Sequence, residues 1–258
     1  MARDRSITRT ALTRIAAAQV RLAAHARIAS LAQLVGLARA VSVARGAALL
    51  ICLCALLLPA ASASAAPAPV ILVYGDSLSA EYGLARGTGW AALLDARLKE
   101  KRPPFRVANA SISGETTSGG AARIDAALKQ HQPAIIIIEL GGNDGLRGLA
   151  LDATRANLTR MIVASQKSGA RVVLAAMQLP PNYGRSYTEG FRNAYGELAQ
   201  QHKTALVPFF LEGVADHRAL FQSDGIHPTQ AAQARLLDNV WPVLAPLLTV
   251  KSRAGAAR

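Results

Sequence analysis

Cysteine is nearly missing from this chain. Of 258 residues only Cys52 and Cys54 carry a thiol, and both lie inside one apolar run, "GAALLICLCALLLPA". Outside that run there is no disulfide framework, no thiolate nucleophile and no cysteine metal site. Neither cysteine follows a small residue as a lipoprotein cleavage site requires. Long apolar stretches are also missing: the run from Ala47 to Leu58 is far shorter than the roughly 20 residues that span a bilayer. Aromatics make up only 5% of the chain and are not interleaved with the basic residues, which argues against a nucleic-acid surface. No G-x-S-x-G elbow occurs, which argues against an ordinary α/β-hydrolase nucleophile turn. The glycine-rich "SGETTSGG" lacks the lysine and the spacing of a P-loop.

Acidic residues are scarce at the front. The first 45 residues hold eight arginines against the single acid Asp4, and this segment accounts for about half of the formal charge of +13. Lys251, Arg253 and Arg258 add to the excess at the other end, so the body between is close to balanced. The apolar run from Ala47 to Leu58, bounded by Arg45 and Pro59, has the length of a secretory h-region. Ala63-Ser64-Ala65 follows with small residues at the −3 and −1 positions. The expected organisation is a basic leader and signal peptide over 1–66, removed near Ala65, a single domain over 67–250, and a basic tail over 251–258. The expected location is periplasmic or secreted. The basic arm before the h-region is unusually long: either the start is assigned too early or the arm has a role of its own. An arginine-rich, acid-poor arm also has the character of a transit peptide.

Beyond "PAASASAAPAP" the chain alternates. Apolar runs at 70–74, 105–109, 134–140, 171–177 and 205–209 read as strands. Segments with helical spacing lie between them, at about 88–100, 118–130, 152–168 and 186–202. A last helix is predicted over 228–248 with Pro228 in its first turn. Strands that are continuously apolar and alternate with helices predict a five-stranded parallel sheet covered on both faces. In such folds chemistry gathers at the carboxyl ends of strands. The loops there are "GDSLS", "ASISGETTSGG", "GGNDGLRG", "QLPPNYGRSY" and "LEGVADHRALFQSDGIHPT".

Ser77 stands in the first of these loops, two residues beyond Gly75, which would allow an abrupt turn. A serine hydroxyl needs a base to take its proton. His25 falls in the leader, and His131 and His202 each follow a helix and precede a strand, at the wrong edge of the sheet. His217 has only the adjacent Asp216, whose side chain points elsewhere. His227 follows Asp224 by three residues across Gly225, a spacing that lets a carboxylate accept the imidazole Nδ1–H. The same pair could instead cap the final helix. An oxyanion would need donors. Candidates are the Ser77 backbone N–H, Gly114 in "SISGET" and the Asn143 amide in "GGND", although each taken singly also suits an ordinary turn. Asp76 is expected to tie its own turn through local hydrogen bonds.

Taken jointly, "GDSLS", "NASISGET", "ELGGNDGLRG" and "FQSDGIHPT" resemble the GDSL, or SGNH, hydrolases over about 70–248, and within them the bacterial thioesterase I, lysophospholipase and arylesterase group. The resemblance implies a flavodoxin-like three-layer α/β/α sandwich. It implies Ser77 as nucleophile, Asp224 and His227 as its triad partners, and the Ser77 N–H, Gly114 and Asn143 as the oxyanion hole. It further implies cleavage of acyl esters, thioesters or lysophospholipids without cofactor or metal. The expected partner is a small-molecule substrate, with no nucleic acid, no stable membrane span after processing, and a monomeric protein. Two rivals remain at this point: a carbohydrate O-deacetylase, and a non-catalytic lipid- or glycan-binding protein on the same scaffold.

Overall fold

The computed structural model describes residues 67–101 and 104–248. The leader, the apolar run with both cysteines, the cleavage position near Ala65 and the tail over 251–258 lie outside the described residues. Five strands form one parallel sheet: β1 (Val70–Gly75), β2 (Arg106–Asn109), β3 (Ile135–Glu139), β4 (Arg171–Ala175) and β5 (Ala205–Val207), in the order β2-β1-β3-β4-β5. The main helices are α1 (Trp90–Lys101), α2 (Thr117–His131), the short α3 (Gly142–Leu146), α4 (Leu151–Lys167), α5 (Arg185–His202) and α6 (Gln233–Leu244).

Every residue of β1 and β3 is buried, which is why those segments read as unbroken apolar runs rather than as alternation. The helices cover the sheet in two groups. α1 packs on α6, while α4 packs on both α2 and α5. This is the expected three-layer arrangement with flavodoxin-like strand order. α2 shows how a loop residue starts a helix here: the Thr116 hydroxyl accepts the Gly119 N–H, and Gln132, in the left-handed region, closes the other end by donating its N–H to Leu128 O.

Two expectations need correction. "GGND" is not purely loop, since α3 begins at Gly142. The last helix does not begin at Pro228. Pro228 pairs with Phe221 in an isolated antiparallel bridge, flanked by hydrogen bonds from Gln222 N–H to His227 O (2.7 Å) and from Thr229 N–H to Leu220 O (2.7 Å). These bonds hold the preceding segment as a small two-stranded loop. A 3₁₀ turn then spans Gln230–Ala232 before α6 starts.

Candidate active site

β1 and β3 are neighbours in the sheet, but the chain leaves them in opposite directions, to β2 and to β4. A crevice forms at such a reversal, outside the carboxyl ends of the two strands. Ser77 lies two residues beyond β1, and Asn143 lies in the first turn of α3 beyond β3. Gly114 comes from the loop after β2. Asp224 and His227 come from the long loop between β5 and α6. All five expected site residues therefore lie at the same edge of the sheet, four on loops and Asn143 in the first turn of α3.

Three of them form one hydrogen-bonded line. The His227 Nε2 lies 2.9 Å from the Ser77 Oγ, and its Nδ1 lies 2.8 Å from the Asp224 Oδ2. Asp224 also accepts the N–H groups of Ile226 (2.9 Å) and His227 (3.0 Å) through its other oxygen. Those two backbone donors, with the imidazole, hold its carboxyl down at about 2, so it is ionised throughout the physiological range. The pair does not cap the final helix, because Asp224 is satisfied within its own turn and α6 begins nine residues later. His217 is exposed, and His131 and His202 are the last residues of α2 and α5, at the opposite edge of the sheet.

Asp76 bears out its expected turn role and adds a second one. Its carbonyl accepts the N–H groups of Ser79 and Ala80, and its Oδ1 accepts the Leu78 N–H at 3.0 Å. Its Oδ2 accepts from the Asn143 Nδ2 at 3.1 Å, and the same nitrogen donates to Glu115 O at 3.0 Å. Both acceptors fix the amide orientation, with nitrogen toward Asp76 and Glu115. Gly114, at φ +78°, sits beside them on the rim, and its carbonyl accepts from Arg147 Nη2 at 3.2 Å. A Cβ there would meet nothing closer than Arg147 Nη2 at 4.0 Å, so it is the left-handed backbone, not crowding, that favours glycine.

Gly75 differs from expectation in its reason. Its backbone is not in the left-handed region. A Cβ there would lie 2.6 Å from Glu139 Oε2 and 2.8 Å from Ser79 Oγ. The glycine makes room for a buried polar cluster beneath the Ser77 turn. Glu139, fully buried at the end of β3, accepts from Ser79 Oγ at 2.6 Å and more weakly from the Asp76 N–H at 3.4 Å. Trp90 Nε1 donates to Ser79 Oγ at 3.1 Å, and Asn109 Nδ2 donates to Ser79 O at 2.7 Å. Glu139 was not among the expected site residues; its signal in the sequence is a single carboxylate ending the apolar run "AIIII".

Burial pushes the Glu139 carboxyl well above its ordinary range, and the nearby Asp76 charge pushes it further the same way. Burial likewise raises Asp76 to about 6. Folding thus takes up a proton at Glu139. Its stabilising contribution is complete below the ordinary value of 4.5 and is lost as pH rises toward the folded value. Asp76 acts with the same sign between 3.8 and about 6. Glu139→Gln keeps a carbonyl for Ser79 and Asp76 but cannot titrate. Its melting temperature should fall less steeply than that of the parent between pH 4.5 and neutrality. Equal slopes in a pH series of thermal melts would show that Glu139 is not the proton acceptor.

No group of three or more His, Cys, Asp or Glu side chains among the described residues is arranged to hold a metal. No helix among them is long and apolar enough to cross a membrane.

A doubly wound sheet whose switch point carries a hydroxyl, an imidazole and a carboxylate in hydrogen-bonded sequence has the architecture of an SGNH-type hydrolase. The chain belongs to the GDSL-like Lipase/Acylhydrolase family, which it matches over residues 73–235. It is 55% identical over 183 residues to Esterase TesA of Pseudomonas aeruginosa, covering 71% of this chain and 91% of that protein. It is 42% identical over 184 residues to the Thioesterase 1/protease 1/lysophospholipase L1 of Escherichia coli, covering 71% and 87%. The crystal structure of a TesA superposes with a TM-score of 0.68 at 54% identity, over 69% of this chain and 99% of that one.

Proposed function

We propose that this protein is a serine esterase that hydrolyses acyl esters and thioesters, including lysophospholipids, through an acyl-enzyme on Ser77. The unbroken line from Asp224 through His227 to Ser77, beside Gly114 and Asn143, is the observation that supports it. The Ser77 oxygen attacks the acyl carbon as its proton passes to His227 Nε2, and Asp224 holds the tautomer and stabilises the imidazolium. The tetrahedral oxyanion is met by the N–H groups of Ser77 and Gly114 and by the Asn143 amide. When the bond to the leaving group breaks, His227 returns the proton to the leaving oxygen or sulfur. Water then repeats the cycle: His227 takes its proton, its oxygen attacks the acyl carbon, and the acid departs as Ser77 regains a proton. The names of the relatives, an esterase and a thioesterase/lysophospholipase, favour the same substrate class. We further propose export to the periplasm or beyond with loss of residues 1–66 and a single catalytic domain after them, on the strength of the apolar run and Ala63-Ser64-Ala65.

Asn143 carries the test. In the resting site its amide already has two acceptors, Asp76 Oδ2 and Glu115 O, so it must turn one N–H toward the oxyanion as charge develops. An interaction gained only in the transition state shows in kcat rather than in KM. Asn143→Ala should lower kcat on p-nitrophenyl esters by about 10²–10³. Asn143→Asp should do at least as badly, since it places a carboxylate against both Asp76 and the oxyanion. A normal kcat with a lowered melting temperature would leave Asn143 as a strut between Asp76 and Glu115 and remove it from the mechanism.

A further inference from the structure

The large apolar side chains left exposed on the described surface are Tyr82, Ile112, Leu149 and Ile226, and all four lie on loops at the carboxyl edge of the sheet. Two of them flank His227. The Tyr82 ring lies against the imidazole, with centroids 4.3 Å apart and planes tilted by 36°, yet Tyr82 remains 50% exposed. Ile226 immediately precedes His227 and is 48% exposed. Tyr82 is held on both sides. Its N–H donates to Ser77 O at 3.3 Å, and its carbonyl accepts from Gln222 Nε2 at 2.9 Å, a residue of the histidine loop. Arg218 fixes that loop in turn, donating to the carbonyls of Phe221, Gln222 and Ser223 just before Asp224.

The chemistry decides which part of the substrate meets this surface. His227 Nε2 must reach the departing heteroatom to protonate it, so the leaving group emerges on the His227 side of Ser77. The oxyanion donors Gly114 and Asn143 come from elsewhere, the loop after β2 and the start of α3. A half-exposed aromatic ring pinned beside the general acid, with an exposed isoleucine next to it, is an apolar floor for the alcohol or thiol portion. We propose that Tyr82 and Ile226 form a leaving-group subsite that selects esters and thioesters whose leaving group carries an aromatic or aliphatic body next to the reacting heteroatom. This rests on the esterase reading given above.

Benzyl acetate and methyl acetate test it. They share one acyl group and release alcohols of similar basicity, but only the first has a body to lay on the ring. The wild-type enzyme should favour benzyl acetate in kcat/KM. Tyr82→Ala should shrink the benzyl-to-methyl ratio by about tenfold, the scale of one aromatic contact. Ile226→Ala should shrink it less, and Tyr82→Phe should keep it. Because the ratio is taken within one sample, it does not depend on the fraction folded or on any shared effect on His227. An unchanged ratio in Tyr82→Ala, in an enzyme still labelled by fluorophosphonate, overturns the subsite alone. A wild-type protein that hydrolyses neither acetate nor p-nitrophenyl esters, and takes no label, overturns the esterase reading beneath it.

Discussion

Ser77→Ala should reduce ester hydrolysis by about 10⁵–10⁶ in kcat, the scale seen when a nucleophile in a cooperating triad is removed. The Ser77 hydroxyl lies 2.9 Å from His227 Nε2 and sits on a turn whose other bonds do not involve it. Asp76 ties the turn through Leu78, Ser79 and Ala80, and Asn109 holds Ser79 O from the neighbouring strand. The fold should therefore survive, with a melting temperature close to that of the parent. Fluorophosphonate labelling should disappear together with turnover. Wild-type turnover or persistent labelling in the variant would place the nucleophile elsewhere.

The second large effect separates two histidines ten residues apart. His227→Ala should lose about 10⁴–10⁶ in kcat, since without the imidazole nothing takes the Ser77 proton or returns it to the leaving group. His217→Ala should stay within about twofold, the range of surface changes away from chemistry. His217 is exposed in the turn after β5, and its backbone N–H bonds Val214 O. Steady-state kinetics on one ester for both variants decides the matter, and the reverse ranking would sink the triad as drawn. Near-equal losses would mean that the loop carrying both residues, rather than one imidazole, was disturbed.

Much of the site was legible because it is local. Asp224 and His227 are three residues apart across Gly225, and so short a turn leaves few ways for a carboxylate and an imidazole to avoid each other. The strands were legible because β1 and β3 are buried on both faces, and their continuous apolar runs leave little else for them to be. The failures have a common cause. Pro228 looked like a helix start because proline suits a first turn, but the pairing of Phe221 with Pro228 outweighed that local preference. Gly75 looked like a hinge because glycine often is one, whereas its real constraint is Glu139 Oε2, across a strand pair and 64 residues away in sequence. Asn143 was legible as a donor, but not its two resting acceptors.

By itself the sequence determined the alternation of strands and helices and the edge of the sheet where reactive side chains had to gather, and it placed Asp224 within reach of His227 across one glycine. These follow from periodicity and from turns a few residues long, where the chain's own geometry limits the choices. Only the tertiary structure decided that His227 Nε2 meets Ser77 Oγ across 150 residues, that Glu139 and Asp76 lie buried together beneath the Ser77 turn, and that Tyr82 rests on the imidazole. Such contacts depend on the strand order and on which side chains close packing brings within about 3–4 Å, and no short-range pattern in the chain encodes that.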